Sequence, residues 1–248
     1  MPKLFVVSDI HSYYTPLKKA LDEKGFDPNN ENHWLIVCGD AFDRGGESEE
    51  VLHFLMSLER KILVKGNHDI LLEELCKREA PCSHDYSNGT MRTLETLGKR
   101  DMGYSFEKCC EVAWNRTAAY RDLLVNYFET KNYIFVHSWI PMAIDENGEF
   151  VGYDPEWRNA TEDRWEEPMW VNPFDMAIAG LNQTGKTIVF GHWHCSKGHK
   201  MLGHSNHEFG GYPIWEPCFM DGAIGIDRCT AHTGEVNVLV LEDEFLEE

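Results

Sequence analysis

Gly39-Asp40-Ala41-Phe42-Asp43-Arg44-Gly45-Gly46 follows Trp34-Leu35-Ile36-Val37-Cys38 and precedes Glu47-Ser48-Glu49-Glu50-Val51-Leu52. The apolar run has the length of a buried strand, and the acidic residues after the motif open a helical pattern. A strand that ends in two carboxylates, an arginine and glycines is a charged turn at a sheet edge. In α/β proteins, ligands bind beyond the carboxyl ends of the strands. Asp beside Gly is also ordinary turn chemistry, so the meaning of this turn depends on what other strands bring to the same edge.

Working outward, Leu4 to Val7 is a short apolar run suited to a strand buried on both faces, and it ends in Ser8-Asp9-Ile10-His11. Thr15-Pro16 reads as an N-cap followed by proline at the first helical position. Leu17, Ala20 and Leu21 form that helix's apolar face, and Gly25 closes it. Val51, Leu52, Leu55, Met56 and Leu58 predict a helix over about 48–60. The strand Lys61–Val64 then runs into Lys65-Gly66-Asn67-His68-Asp69. The order is β-α-β-α-β, with a polar cluster at the end of each strand.

From 70 to about 131 the chain turns helical and irregular, with helical patterns over Met91–Leu97 and Tyr120–Phe128. The expectation is one domain over 1–248 carrying a helical cap at about 70–131. Tyr133–Val136 predicts a strand ending in His137, and Thr187–Phe190 one ending in Gly191-His192-Trp193-His194. Residues 141–175 lack periodicity and predict a long functional loop. Ala223–Asp227 and Glu235–Leu241 predict a closing hairpin around Thr233-Gly234.

The chain has 248 residues, 42% hydrophobic and 26% charged, with a net charge of −19. That composition is globular, and the charge repels phosphate backbones and anionic lipid, so neither nucleic acid nor a membrane surface is expected as a partner. The acidic run Glu242-Asp243-Glu244 and Glu247-Glu248 predicts a solvated tail. Eight cysteines contain no Cys-x-x-Cys pair and resemble no disulfide scaffold. The N-terminus runs straight into a strand without a signal-peptide pattern, and no apolar run approaches the ~20 residues of a membrane span. A reduced, soluble, cytoplasmic protein is expected. Oligomeric state leaves no mark in the sequence.

Five strand ends carry Asp9/His11, Asp40/Asp43/Arg44, Asn67/His68/Asp69, His137 and His192/His194. Each residue alone has a plain structural explanation, but their recurrence at five strand ends does not. Carboxylate, amide and imidazole together suit borderline divalent metals such as Mn²⁺, Fe²⁺ or Zn²⁺. The donors outnumber what one ion needs, and a bridging carboxylate would divide them between two ions ~3.5–4 Å apart, as in phosphoester hydrolysis.

Asp9-Ile10-His11, Gly39-Asp40-x-x-Asp43-Arg44-Gly45, Gly66-Asn67-His68-Asp69, Val136-His137 and Gly191-His192-x-His194 resemble, in order, the motifs of the calcineurin-like metallophosphoesterase superfamily. The likeness is to the branch of bacterial and phage serine/threonine protein phosphatases and diadenosine tetraphosphatases. It implies an α/β fold, a four-layer α-β-β-α sandwich, here with a helical cap. It further implies one metal held by Asp9, His11, Asp40 and His194, and a second held by Asp40, Asn67, His137 and His192, most often Mn²⁺ with Fe or Zn possible. His68 would protonate the leaving oxygen, oriented by Asp43, while Arg44 would bind phosphate. The implied chemistry is in-line attack on phosphorus by a hydroxide that bridges the two ions.

A serine/threonine phosphoprotein phosphatase is the first expectation for function. The alternatives are a dinucleoside polyphosphate hydrolase or a small-molecule phosphomonoesterase, with phosphorylated protein or a small phosphorylated substrate as partner. Net charge argues against a nuclease, and the complete ligand and acid sets argue against a non-catalytic scaffold. His194 and Asp69 depart from protein phosphatases, which usually have threonine and often glutamate at those places, toward the wider superfamily. A second phosphate-binding arginine has no clear match; Arg158 and Arg164 are candidates, with surface salt bridges as the competing reading. The 84–89 segment either reaches toward the metals or forms a plain Asn-Gly turn. Trp157, Trp165, Trp170, Trp193 and Trp215 can stack on a nucleobase or peptide aromatic, or simply pack loops. His199, His204 and His207 are expected as exposed loop residues.

Overall fold

The computed structural model describes residues 1–78, 80–148, 150–204 and 211–246; His207 and the Glu247-Glu248 part of the expected tail lie outside them. The strands are β1 (Lys3–Val7), β2 (His33–Cys38), β3 (Lys61–Val64), β4 (Leu124–Val125), β5 (Phe128–Glu129), β6 (Tyr133–Phe135), β7 (Met142–Ile144), β8 (Phe150–Tyr153), β9 (Thr187–His194), β10 (Cys218–Met220), β11 (Ala223–Asp227) and β12 (Leu239–Glu242). They form one sheet in the order β12-β1-β2-β3-β4, a second in the order β10-β11-β9-β6-β5, and a β7-β8 hairpin. β1 to β4 run parallel, as do β6, β9 and β11, while β12, β5 and β10 are antiparallel edges.

Side-chain alternation makes these sheets the middle of four layers. Leu4 and Val6 of β1, with Ile36 and Cys38 of β2, meet Phe135, Val189, Ile224 and Ile226 of the other sheet. Their neighbours Phe5, Val7, Leu35 and Val37 face the opposite way, toward helices. There they meet α1 (Tyr14–Glu23), α2 (Ser48–Ser57), α3 (Asn67–Lys77), α5 (Thr90–Leu97), α6 (Phe106–Arg116) and α7 (Ala118–Arg121), with the short α4 (Ser83–Ser87) between. On the far side, Ile134, Ile188, Phe190 and Ala223 pack against Trp165 of α8 (Glu162–Glu166), Phe174 of α9 (Pro173–Ile178) and Cys195 of α10 (Cys195–Met201). Period-two strands buried on both faces are what this layering requires, and the α-β-β-α sandwich expected from the sequence is what the chain forms.

Several local expectations are corrected. Thr15 does not cap α1; its backbone N–H and hydroxyl both bind the Glu47 carboxylate, at 3.0 and 2.5 Å. Gly25 does close that helix, at φ +76°. The helix expected over 120–128 ends at Arg121, and Leu124–Val125 instead extends the first sheet, where Val125 accepts from Lys65 N at 2.8 Å. The 141–175 stretch is not loop but the β7-β8 hairpin, short 3₁₀ turns, α8 and the start of α9.

The closing hairpin does not exist: β11 belongs to the second sheet and β12 to the first, joined through α11 (Thr230–Thr233). Val236 and Val238 leave the strand pattern to bury among the helices. Asn237 bridges the Trp215 and Ile226 carbonyls through Nδ2, which fixes the crossing. All eight cysteines are free thiols, and no described helix is long and apolar enough to cross a membrane.

Candidate active site

The carboxyl ends of β1, β2, β3, β6 and β9 converge on one edge, and the backbone there is bent sharply. Asp9, His11, Asp40, Asp43, Arg44 and His192 all adopt left-handed φ values, between 49° and 74°. Such positions cost ~1–2 kcal/mol per residue, and they turn each side chain from the strand direction into the space between the strand ends. Two glycines allow the close approach. A Cβ on Gly66 would lie 2.2 Å from Asp40 Oδ1, and one on Gly191 would lie 2.1 Å from Asp9 Oδ2.

Asp40 is shared between two groups of donor atoms, buried except for the half-buried His192. His11, Asp40 and His68 bring ligand atoms within 4.8 Å of one another, and so do Asp40, His137 and His192. Asp9 Oδ1 approaches His11 Nε2 at 3.9 Å, and Asn67 Oδ1 approaches His137 Nε2 at 2.7 Å. Backbone carbonyls set the imidazole tautomers. His11 Nδ1 donates to Phe42 O at 2.9 Å and His137 Nδ1 to Cys38 O at 3.0 Å, while the His192 ring donates to the Trp170 carbonyl. The remaining ring nitrogens therefore present lone pairs. His137 Nε2 then faces the lone pairs of Asn67 Oδ1 and, at 3.2 Å, His192 Nδ1, an opposition that a cation relieves. This pattern of outer-shell carbonyls behind imidazoles fits divalent metal binding.

Electrostatics separates the residues by role. Burial pushes His11 far down, and burial together with His137 pushes His192 down to about 3, so both rings are neutral. Burial alone would raise the Asp40 carboxyl, but His137 and then His68 hold it well below the usual carboxylate range. Asp9 is raised by burial, partly opposed by His137. His68 goes the other way from its neighbouring imidazoles: burial would lower it, yet Asp40 and the bond to Asp43 raise it. A neutral imidazole can ligate a metal; one pushed toward its protonated form can donate a proton.

His68 has its own support. Asp43, fully buried, accepts from His68 Nδ1 at 2.8 Å, from Thr90 Oγ1 at 2.7 Å and from Thr93 Oγ1 at 2.7 Å, and its backbone N–H donates back to Thr93 at 2.9 Å. Both threonines lie on α5, one turn apart. Arg44 Nη2 comes to 3.5 Å from His68 Nε2, while Arg92 from α5 holds the Arg44 carbonyl at 3.2 Å. Two donor groups thus address the same spot beside Asp40.

Residues 2–196 match the calcineurin-like phosphoesterase family. The chain belongs to that family. It is 30% identical over 138 residues to the symmetrical bis(5'-nucleosyl)-tetraphosphatase of Pseudomonas fluorescens, a match covering 55% of this chain and 43% of that protein. The protein of the same name from Marinomonas is 30% identical over 146 residues, covering 57% of this chain and 46% of its own length. The chain thus spans under half the length of these curated relatives. Among solved structures, the cold-active protein tyrosine phosphatase of a psychrophilic Shewanella superposes with a TM-score of 0.58 at 17% identity, covering 98% of this chain and 76% of that one. At that identity the likeness concerns the fold.

A cavity of about 200 Å³ exposes this phosphoesterase site to solvent, lined by Asp9, His11, Asp40, Arg44, Asn67, His68, His192 and His194 together with residues that the sequence did not single out as site members. Asp227 is one of these: at the end of β11, paired in register with His194, it is raised well above the usual carboxylate range by burial and then by Asp9. Asn88 from the turn after α4 and Trp170 reach the same cavity. The 84–89 segment therefore contributes through Asn88, whereas His84 stays exposed and Asp85 is buried against Arg78.

Arg158 and Arg164 stay away from the site. Arg158 holds Glu129 bidentately at 2.6 and 2.7 Å, and Arg164 binds the Met142 carbonyl at 2.6 Å. Trp157 and Trp165 are core residues against Tyr127, the first edge-on and the second stacked. His199 lies on α10, its Nδ1 3.1 Å from that of His204. Thr90, Thr93 and Asp227 carried no motif; the threonine spacing of one helical turn was the only trace of the first two.

Proposed function

We propose that this phosphoesterase hydrolyses the phosphoanhydride bonds of dinucleoside polyphosphates. The observation that carries the substrate class is the pair of relatives bearing the symmetrical bis(5'-nucleosyl)-tetraphosphatase name. It supports this reading over the phosphoserine and phosphothreonine one expected first from the sequence. Symmetrical cleavage of a bis(5'-nucleosyl) tetraphosphate releases two equal nucleoside diphosphates.

In this reading Asp9, His11, Asp40 and His194 hold one divalent ion, and Asp40, Asn67, His137 and His192 hold a second, Mn²⁺ being the metal expected. Bound ions would supply a hydroxide nucleophile at neutral pH and offset charge on the substrate oxygens. Arg44, exposed at the cavity, grips the phosphate, which Arg92 favours by fixing its backbone. His68, kept protonated beside Asp40 and Asp43, delivers a proton to the departing phosphate oxygen. Asp40 faces ligands of both ions, Oδ2 at 3.8 Å from His11 Nε2 and Oδ1 at 3.5 Å from His137 Nε2, which supports a two-ion site.

Incubation of the Mn²⁺-loaded protein with diadenosine tetraphosphate and, separately, with a phosphoserine peptide tests this. Release of adenosine diphosphate at a rate far above phosphopeptide turnover is the expected result. The reverse order of rates restores the phosphoprotein reading.

A further inference from the structure

Resting on the proposed function, we infer that the indole of Trp170 is the platform on which a nucleobase of the substrate stacks. The cavity over the shared Asp40 holds about 200 Å³, below the ~300–1,000 Å³ of sites that enclose whole small-molecule ligands. It accepts a phosphoryl group and leaves a nucleoside outside its rim. Arg44 and Asn88 stand on the side built by β2 and the α4–α5 turn, and Trp170 is the one tryptophan among the described lining residues.

Trp170 differs from the two tryptophans that precede it in the same segment. Trp157 and Trp165 are 0% and 3% exposed, and Trp170 is 48% exposed. Its exposure does not come from a loose backbone. The Trp170 carbonyl accepts from the His192 ring, the Val171 carbonyl accepts from Ser138 Oγ at 2.9 Å, and Pro168 and Met169 are buried immediately before it. His192 is a proposed metal ligand and Ser138 follows another, His137, so the backbone beneath the indole is pinned to the site itself. A large flat ring carried on a fixed backbone and left half uncovered, at a residue that lines the cavity, suits a base, because every nucleobase offers a π-face. Pre-fixing the backbone that carries the ring lowers the entropy lost on binding. With a net charge of −19, the protein gains no long-range attraction for a polyphosphate, so apolar contact to the base is what separates a nucleotide from free phosphate.

The test compares AMP with ribose 5-phosphate, which lacks only the base, as competitive inhibitors of p-nitrophenyl phosphate hydrolysis by the Mn²⁺-loaded protein. Trp170→Leu keeps apolar packing but has no stacking face, and Trp170→Phe keeps a face. The ratio of the two inhibition constants is expected to shift against AMP by about 10- to 100-fold in Trp170→Leu, the size of a base–aromatic stack. In Trp170→Phe most of the preference returns. An unchanged ratio in Trp170→Leu, or equal ratios in the two variants, overturns the inference. Wild-type protein that turns over p-nitrophenyl phosphate and leaves diadenosine tetraphosphate intact overturns the proposed function instead.

Discussion

Asp43 Oδ2 lies 2.8 Å from Nδ1 of His68, with both residues buried and the far side of the imidazole turned toward Arg44. The contact fixes which nitrogen of His68 can reach a substrate. It also ties a residue of the turn after β2 to the first turn of α3.

If His68 is the proton donor, its loss matters in proportion to the basicity of the leaving group. His68→Ala is expected to lose about 10²–10⁴-fold in kcat on an alkyl phosphate, and far less on p-nitrophenyl phosphate, whose leaving group needs little protonation. Equal losses on both substrates would remove His68 from the acid role.

The helix behind the dyad bears on its stability. Thr93 both donates to the Asp43 carboxylate and accepts from the Asp43 backbone N–H. Thr93→Val leaves those buried groups short of partners, with an expected loss of about 1–3 kcal/mol in thermal or urea unfolding. Thr93→Ser, which keeps the hydroxyl, is expected to recover most of it; a valine variant as stable as wild type would show that α5 does not support the dyad.

Metal dependence follows from the sharing of Asp40. Chelation is expected to abolish p-nitrophenyl phosphate hydrolysis, with Mn²⁺ restoring it, and elemental analysis of Asp40→Asn should find both ions depleted. In wild type, Mn²⁺ at a hundred times its dissociation constant adds about 2.7 kcal/mol to unfolding stability for each ion bound. A variant that retains one full equivalent of metal would argue that the carboxylate serves a single ion.

Away from the site, Glu49 of α2 accepts from Arg116 of α6 at 2.6 Å and from Lys99. The Arg116 bond first, against a smaller opposing effect of burial, lowers its pKa in the folded state. A depressed folded pKa contributes stability that is present above the unfolded value, about 4.3, and is lost as pH falls through the folded value. Glu49→Gln is therefore expected to cost at most about 1 kcal/mol at pH 7, given its partial exposure. The gap to wild type should close in acid. A gap that persists undiminished at pH 3 would assign the cost to packing.

The strand ends were legible because chemistry-bearing residues punctuate apolar runs too short to be anything but buried strands, and parallel strands bring such ends to one edge. Asp9, His11, Asp40, Asn67, His137 and His192 meet there as their spacing required. Thr90, Thr93 and Asp227 were not legible, since a threonine pair on a helix and an aspartate ending a strand are commonplace until their partners are known. The 223–241 segment misled for a different reason. Two apolar runs around Thr-Gly satisfy every local rule for a hairpin, and only the competition between two sheets for an edge sends β12 to β1. The 141–175 stretch hid its helices because they are one or two turns long and held by tryptophans rather than by periodicity.

That last pairing has a consequence for how the chain is made. During synthesis β12, the antiparallel neighbour of β1 in register from Lys3↔Glu242 to Val6↔Leu239, emerges more than two hundred residues after it. At 5–20 residues per second the interval is on the order of ten to fifty seconds. Through that time one edge of β1 offers unpaired backbone groups to any passing strand. The nascent chain is thus exposed to mispairing at β1 until β12 arrives, and synthesis speed enters the yield of folded protein.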